Sequence, residues 1–295
     1  MRVFITGATG LIGSAVVTEL LSAGHSVTAL TRSDASTAKA EAAGADTVRG
    51  GLVDLDILRV AAEKADGVLH LAFGNDFSSA EALTLNIADE SAALGALGQA
   101  LIGTGKPLLT VSGTPVAAGR PSVEDDPLPT EGPVGGRSVS VNRALALADH
   151  GVRASAIRLP RTVHNQGKGG FAGLLTQFAR QTGVAAYPSD GLQRWPAVHA
   201  LDVAVLFRLV LEKAPGGTAW HAVADEGDAV RDIVTVIGRR LGLPVESQPA
   251  EAFGPLGAIF KVDQPASSVR TRAELGWEPT HPSLLQDLGN IDADR

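Results

Sequence analysis

The sequence lacks cysteine, so it can form no disulfide bond, no thiolate metal site and no cysteine nucleophile. Any redox reaction would therefore use a bound cofactor rather than protein thiols. Aromatic side chains are also scarce, at 4% of the 295 residues, and Tyr187 is the single tyrosine. Only one phenolic hydroxyl is thus present for proton transfer or substrate contact.

The chain also lacks an excess of positive charge and long apolar runs. The chain has 25 Lys and Arg against 32 Asp and Glu, a net charge of -7, and no polybasic run, which disfavours a nucleic-acid partner. Glycines interrupt the apolar N-terminal segment well short of the roughly 18 residues that a membrane span needs, and no small-residue cleavage site follows it. We therefore expect a cytoplasmic protein that takes a small-molecule substrate and binds neither nucleic acid nor membranes.

Short apolar runs alternate with longer helical patterns through the first half of the chain. The predicted strands are Val3 to Thr6, Ser26 to Leu30, Thr47 to Arg49, Val68 to Ala72, Pro107 to Val111 and Ala154 to Arg158. The predicted helices are Leu11 to Ala23, Ala35 to Ala43, Asp54 to Lys64, Ser79 to Ile102 and Gly136 to His150. This alternation is typical of parallel β-α-β units and predicts an α/β fold with a doubly wound parallel (Rossmann) sheet.

The pattern becomes less regular after Pro160. There we predict a short strand through Tyr187, a helix from Leu201 to Lys213, a strand from Thr218 to Val223 and a helix from Val230 to Leu241. Residues 1–160 are therefore assigned to a dinucleotide-binding Rossmann domain. Residues 161–295 mainly form a smaller C-terminal α/β substrate lobe, which we expect to interleave with the first domain.

A glycine-rich turn connects the first predicted strand to the first predicted helix. Gly7 permits the sharp turn, Gly10 lets the backbone approach a pyrophosphate, and Gly13 allows close packing of helix on strand. The helix N-terminus then faces the phosphates. We predict a dinucleotide site here, with a merely structural turn as the alternative. The predicted nucleotide contacts in this turn are Gly7, Thr9, Gly10, Leu11 and Ile12.

The end of the second strand bears on which dinucleotide is bound. An NAD site places a carboxylate there for the ribose 2′-hydroxyl, whereas this chain has Thr31, followed by Arg32 and Ser33. A cation and a hydroxyl suit the 2′-phosphate of NADP. The residues therefore predict NADP(H) in preference to NAD(H), with Arg32 and Ser33 at the phosphate; a solvated surface arginine is the alternative.

Further motifs follow in a fixed order along the chain. They are Thr6 to Gly13, His70-Leu71-Ala72, Asn86, Val111 to Thr114, Arg158-Leu159-Pro160, Trp195 to His199, Leu201 to Ala204, and Glu274 to Pro279. In these motifs the chain resembles the short-chain dehydrogenase/reductase superfamily, in its extended or atypical branch related to NAD-dependent epimerases and dehydratases. The resemblance implies a Rossmann fold and further cofactor contacts from Leu52, Leu71 and Ala72. It also implies a possible homodimer through the two helices at 79–102 and 136–150.

The chain departs from that family where the catalytic residues are expected. The family uses Ser or Thr with a Tyr-x-x-x-Lys pair, and Thr114 matches the Ser or Thr. Aligning Ser140 with the family's serine places Arg137 at the tyrosine position and Val141 at the lysine position. Gly51 likewise stands where an adenine-binding aspartate is usual.

Five residues are the candidates for catalysis. Thr114 and Arg137 could hold a substrate oxygen, although a guanidinium is too basic to donate a proton at neutral pH. His199, with His164 as a second choice, is the candidate proton donor, and Tyr187 could contribute a hydroxyl. Each has a structural alternative: Thr114 could satisfy a strand end, and Arg137 could be a surface charge at a helix start.

Two more expectations concern charged side chains. His199 and the nearby Asp202 could fix a turn and cap the following helix instead of doing chemistry. Arg194 could meet a substrate anion. We predict no metal ion, because the histidines are scattered along the sequence and form no metal-binding motif.

The combined expectation is an NADP(H)-dependent oxidoreductase of the atypical short-chain type, acting on a small carbonyl, imine or enone. A catalytically weak NADP(H)-binding sensor or interaction protein is the second hypothesis, since relatives without the tyrosine and lysine can lack activity. A sugar-nucleotide epimerase or dehydratase is the third, although those reactions rely on a tyrosinate.

Overall fold

The computed structural model describes residues 1–74, 76, 79–132 and 134–291. The chain divides into two compact units. The first unit consists of Met1–Ser112, Pro127–Arg158 and Ala204–Trp220. The second consists of Gly113–Asp126, Leu159–Val203 and His221–Arg295.

Strands and helices alternate along most of the chain. The strands are β1 Arg2–Thr6, β2 Ser26–Thr31, β3 Asp46–Arg49, β4 Gly67–His70, β5 Pro107–Gly113, β6 Arg153–Leu159, β7 Thr162–His164, β8 Ala185–Pro188, β9 Arg194–His199, β10 Thr218–His221, β11 Asp225–Ala229 and β12 Val245–Gln248. The α-helices are α1 Leu11–Ser22, α2 Asp34–Ala42, α3 Leu55–Lys64, α4 Ala80–Leu101, α5 Gly135–Leu145, α6 Gly170–Thr182, α7 Ala200–Lys213, α8 Val230–Leu241, α9 Gly257–Phe260, α10 Val269–Leu275 and α11 Leu284–Leu288. Two 3-10 helices cover Ala146–His150 and Ala250–Leu256.

Seven strands form the central sheet in the order β10-β6-β5-β4-β1-β2-β3. β1 lies in the interior and pairs in parallel with β2 and with β4, so that Val3 is opposite both Val27 and Gly67. Val3, Phe4 and Ile5 are all buried, as expected for a strand covered by helices on both faces. The predicted doubly wound parallel sheet is therefore confirmed.

Two predictions about strands need correction. The fourth strand ends at His70, so Leu71 and Ala72 lie in the following loop instead of in the strand. The predicted strand that begins at Thr218 is β10, which forms an edge of the central sheet next to β6 rather than part of a C-terminal lobe. A short apolar run gives no information about which sheet it joins, because pairing is decided by tertiary contacts.

The second unit contains small sheets that the sequence did not predict. β9 lies between β7 and β11, and β8 pairs in parallel with β12. Its apolar core includes Trp195, which is fully buried. The Trp195 ring contacts Phe171 at 5.5 Å and Phe260 at 5.4 Å between ring centroids. In the described part of the chain, no helix has the length and apolar character needed to cross a membrane.

Candidate functional site

The turn between β1 and α1 has a shape that only glycine permits at two positions. Gly7 has a φ of +77°, and a Cβ atom there would lie 2.8 Å from the Ala72 nitrogen. A Cβ on Gly13 would lie 2.0 Å from the Gly7 oxygen. Both glycines thus allow the helix and the end of β4 to approach the turn closely.

Gly10 plays a different part in the same turn. It is the N-cap of α1 and provides no side-chain cap, so the amide groups of the first helical turn are open to an external acceptor. A Cβ on Gly10 would be 3.6 Å from the Gly7 oxygen, which is ordinary contact, so the fold itself does not require glycine there. The open helix N-terminus with bare backbone beside it fits the pyrophosphate of a dinucleotide.

The remaining predicted contacts of this region lie around the turn. Thr6 Oγ1 is 2.9 Å from His70 Nδ1 and accepts a hydrogen bond from the Ala72 amide at 3.2 Å. This holds Leu71 and Ala72, both half-buried, against the turn. The Thr9 carbonyl accepts a hydrogen bond from a lysine on α2 at 2.7 Å. Leu11 and Ile12 form the start of α1.

Arg32 and Ser33, the two residues predicted to contact a 2′-phosphate at the end of β2, have different surroundings. Arg32 is exposed and makes no hydrogen bond or ion pair within the described residues. The Ser33 hydroxyl instead caps α2: it accepts from the Ser36 amide at 3.2 Å and donates to the Ser36 hydroxyl at 3.2 Å. Arg32 is therefore the group at this strand end that remains available for a phosphate.

The position of the missing adenine-binding aspartate has a carboxylate close by. The Gly51 amide donates a hydrogen bond to Asp54 Oδ2 at 2.7 Å. Leu52, between them, is half-buried. The turn thus places the Asp54 carboxylate next to Gly51, in place of an aspartate side chain at position 51 itself.

Arg137 is neither a solvated surface charge nor a free cation. Its Nε and Nη2 atoms donate to the Glu90 carboxylate at 2.8 and 2.7 Å, and the Glu90 side chain is only 3% exposed. The guanidinium also lies over the Phe73 ring, 4.1 Å from the ring centroid. Burial and, secondarily, the Arg137 charge lower the pKa of His70 to about 4. Arg137 is thus largely neutralised by Glu90.

Thr114 follows β5 and is buried. Its amide donates to the Leu159 carbonyl at 3.0 Å, which joins the carboxyl ends of β5 and β6. The Gln264 amide nitrogen donates to the Thr114 carbonyl and lies 3.3 Å from Thr114 Oγ1. The Thr114 hydroxyl accepts here, so its own proton is available to a substrate oxygen.

His199 lies in a group of imidazole rings in the second unit. Its ring stacks on His281 with centroids 4.9 Å apart and meets His164 edge-on at 5.3 Å. Burial, followed by the two neighbouring imidazoles, lowers the pKa of His199. This shift favours the uncharged form of the ring at neutral pH.

Two aspartates hold the other two histidines. His164 Nδ1 is 2.8 Å from Asp287 Oδ2, and His281 Nδ1 is 2.7 Å from Asp202 Oδ1. Asp202 therefore pairs with His281 and not with His199. His199 Nδ1 accepts a 3.3 Å hydrogen bond from the Leu201 amide, in keeping with a turn-fixing role.

Two of these histidines and one aspartate lie close enough together to be possible metal ligands. Possible ligand atoms of His164, His199 and Asp287 all lie within 4.8 Å of one another, although the residues are far apart in sequence. The scatter of histidines along the chain was therefore a poor guide to their arrangement in space. Asp287 Oδ2 already accepts from the Gly167 amide at 2.9 Å as well as contacting His164, so the protein itself satisfies this carboxylate.

Tyr187 lies on β8 with its ring half-buried against the core of the second unit. A Cβ on Gly191 would lie 2.7 Å from Tyr187 Cδ2, and Gly191 has a φ of +69°. A lysine four residues after this tyrosine is thus disfavoured by both packing and backbone conformation.

Two arginines of the second unit differ from what the sequence predicts. Arg194 pairs with both oxygens of Asp263, at 3.1 and 2.8 Å, and so is not a free anion receptor. The Arg161 guanidinium instead lies 5.0 Å from the Phe171 ring centroid, and its buried Nε has no hydrogen-bond partner in the described structure. The only hint in the sequence was a second arginine three residues after Arg158.

The chain matches the NAD dependent epimerase/dehydratase family over residues 3–222 and belongs to that family. An uncharacterized protein of Schizosaccharomyces pombe, C2A9.02, is 42% identical over 295 residues, which cover 98% of this chain and 99% of that protein. A 3-diazoavenalumate denitrifying reductase from a Streptomyces species is 29% identical over 309 residues, covering 98% and 99% of the two chains.

The fold is also found among solved structures. MoeE5 in complex with UDP-glucose and NAD has a TM-score of 0.78 to this chain, at 23% sequence identity, and the match covers 99% of this chain and 97% of that one. This likeness confirms the Rossmann-like α/β fold.

Proposed function

We propose that the protein is an NADP(H)-dependent oxidoreductase that reduces a small carbonyl, imine or enone compound. The observation that carries this proposal is the turn at Gly7, Gly10 and Gly13, where two glycines are required by packing and the third leaves a helix N-terminus open. The family membership and the reductase among the relatives support the same class of reaction.

The proposed NADP(H) preference rests on the end of β2. Thr31 provides no carboxylate for a ribose 2′-hydroxyl, and its hydroxyl already lies 2.8 Å from the Thr37 hydroxyl. Arg32 is exposed and unpaired within the described residues, so it can meet a 2′-phosphate through charge-assisted hydrogen bonds.

The protein's own residues would then bind and polarise the substrate. Hydride transfer is the chemistry that a nicotinamide cofactor supplies when bound, and the proton that completes the reduction would come from water. The Thr114 hydroxyl, whose oxygen faces the Gln264 amide, would donate to the substrate oxygen. Because His199 Nδ1 accepts from Leu201, the ring proton lies on Nε2, and a neutral imidazole N–H can also stabilise developing negative charge. Tyr187 is the further hydroxyl candidate.

A panel assay tests the reductase proposal. We expect NADPH consumption with carbonyl, enone or imine compounds, a loss of at least about tenfold in kcat for Thr114→Ala, and retained turnover for Thr114→Ser, which keeps the hydroxyl. His199→Ala is expected to lower kcat as well. Tight NADPH binding without turnover of any panel compound would contradict the reductase proposal.

That last outcome would favour the second candidate, an NADP(H)-binding sensor or interaction protein. The ion pair of Arg137 with Glu90 favours it, because it removes a free cation from the position that aligns with the family's tyrosine. A sugar-nucleotide epimerase is less well supported, since Tyr187 has Gly191 and not lysine four residues later.

A further inference from the structure

Arg161 lies in surroundings that are unusual for a positively charged side chain. The side chain is half-buried, its guanidinium lies over the face of Phe171, and its Nε is shielded from solvent and donates no hydrogen bond to any described residue. Burial lowers the pKa of Arg161 to about 10, and no carboxylate acts against that effect. The guanidinium nevertheless remains charged at neutral pH.

Two other half-buried arginines show the usual arrangement. Arg137 is paired with Glu90 and Arg194 with Asp263, each through two nitrogen-to-oxygen contacts. Charges that lose water in folded proteins are normally compensated by an opposite charge. An arginine that is desolvated and unpaired within the described residues therefore indicates an anion from outside the chain.

The surrounding backbone holds Arg161 in place. Its carbonyl accepts a hydrogen bond from the Phe171 amide in the first turn of α6, at 3.1 Å. A Cβ on Gly170 would lie 2.9 Å from that same carbonyl oxygen, so the helix start and Arg161 are in tight contact. The backbone of Arg161 is thus fixed, and its guanidinium lies over the Phe171 ring, an arrangement that favours specific recognition.

The position along the fold is the one expected for substrate contact. Arg161 lies two residues after the end of β6, and the last residue of β6, Leu159, accepts a hydrogen bond from the Thr114 amide. In open α/β sheets, ligands bind outside the carboxyl ends of the strands. Arg161 and the candidate catalytic Thr114 therefore follow neighbouring strand ends on that side.

We propose that Arg161 binds a carboxylate group of the substrate, so that the compounds reduced are oxo acids and not neutral carbonyls. This rests on the reductase function proposed above. The planar guanidinium matches a carboxylate with two parallel hydrogen bonds, and one positive charge balances one carboxylate. A phosphate dianion would call for a second cation.

The kinetic test compares acids with their neutral esters in NADPH-dependent turnover. Glyoxylate, 2-oxobutanoate and phenylglyoxylate are each assayed beside the corresponding methyl ester. We expect the unaltered protein to favour the acids, and Arg161→Gln to reduce the acid-to-ester ratio of kcat/KM by at least about tenfold, mainly through KM. Arg161→Lys should restore part of the ratio, because it keeps the charge but not the planar fork.

Arg194→Gln is the matched control, because Arg194 already pairs with Asp263 and should leave the ratio unchanged. Thermal melts show whether each variant is folded. Equal kcat/KM for acids and esters in the unaltered protein, or an unchanged ratio in folded Arg161→Gln, would overturn the proposal.

A binding measurement separates this proposal from the reductase proposal. Oxamate, a carboxylate that cannot be reduced by hydride transfer, is titrated calorimetrically into the NADPH-loaded protein, with inorganic phosphate as a parallel probe. Oxamate binding that is lost in Arg161→Gln supports the carboxylate site even if no panel compound is turned over. Reduction of neutral carbonyls without oxamate binding would overturn the carboxylate site while the reductase function stands. Binding of phosphate but not oxamate would overturn the assignment to a carboxylate.

Discussion

Arg137 and Glu90 form a two-pronged ion pair, with Nε to Oε2 at 2.8 Å and Nη2 to Oε1 at 2.7 Å. The carboxylate is almost completely buried, whereas the guanidinium is 25% exposed. The pair connects α4 to α5, so it stabilises the first unit as well as neutralising the arginine.

Removing one member of this pair should destabilise the protein. Glu90→Gln leaves a partly buried guanidinium without its counter-ion, and we expect a loss of about 2 kcal/mol in the free energy of unfolding, allowing for the solvent access of Arg137. The double variant Glu90→Leu with Arg137→Met should lose less than either single change, because no charge remains unpaired. Urea denaturation of the unaltered protein, Glu90→Leu, Arg137→Met and the double variant measures the coupling, and additive losses would show that the pair is not coupled.

Substitutions at different glycines of the turn should affect folding and cofactor binding separately. Gly10→Ala should fold normally, since its Cβ would lie 3.6 Å from the Gly7 oxygen, but should bind NADPH at least about tenfold more weakly because the methyl group occupies the pyrophosphate position. Gly13→Ala should fail at the level of folding, because its Cβ would meet that oxygen at 2.0 Å. Gly95→Ala, on an open face of α4, is the control for both. Calorimetry and thermal melts distinguish the three variants.

Arg32 should decide between the two dinucleotides. We expect Arg32→Ala to weaken NADPH binding by at least about tenfold and to change NADH binding little, because the two nucleotides differ by the 2′-phosphate. Calorimetric titration of both nucleotides into both proteins provides the measurement. An equal loss for NADPH and NADH would place Arg32 away from the phosphate.

His70 should make stability depend on pH. Its pKa is lowered from 6.5 to about 4, first by burial and then by Arg137, so the unfolded chain binds more protons at this site than the folded chain between those values. Stability from this residue is complete above pH 6.5 and falls as the pH drops to about 4, by about 3 kcal/mol at the lower limit. His70→Asn should remove that slope. The comparison with the variant matters because burial raises the pKa of Asp228 to about 6, which acts in the opposite direction.

The sequence was informative wherever the structure depends on local geometry. The turn at Gly7 to Gly13 could be predicted because its conformation and spacing are set within a few residues. The short strand through Tyr187 could be predicted, but β11 could not, since it reads Asp-Glu-Gly-Asp-Ala and forms only by pairing with β9. Its strand character comes from the partner and not from its own composition.

The candidate site shows the same division between local and long-range information. Arg161 and Arg194 are the same type of residue, yet their side chains have different partners. Arg194 pairs with Asp263, whereas the Arg161 guanidinium lies over the ring of Phe171. Likewise, His164 and His199 come together only because β7 and β9 are paired in register, His164 opposite His199. Tertiary structure determines which charges are neutralised and which rings are in contact. A single sequence does not reveal these contacts.

The position of β10 at the edge of the central sheet limits where the chain can be cut into stable fragments. The side chain of Arg153 on β6 donates to the carbonyls of Leu211 and Ala214, and Ser155 donates to the Pro215 carbonyl, so β6 depends on residues that come more than 50 positions later. A fragment ending at residue 160 would expose the bonding edge of β6 and would be prone to aggregate. Limited proteolysis should accordingly release no stable fragment with that boundary, and a soluble nucleotide-binding fragment would have to retain residues 204–220, for example by circular permutation.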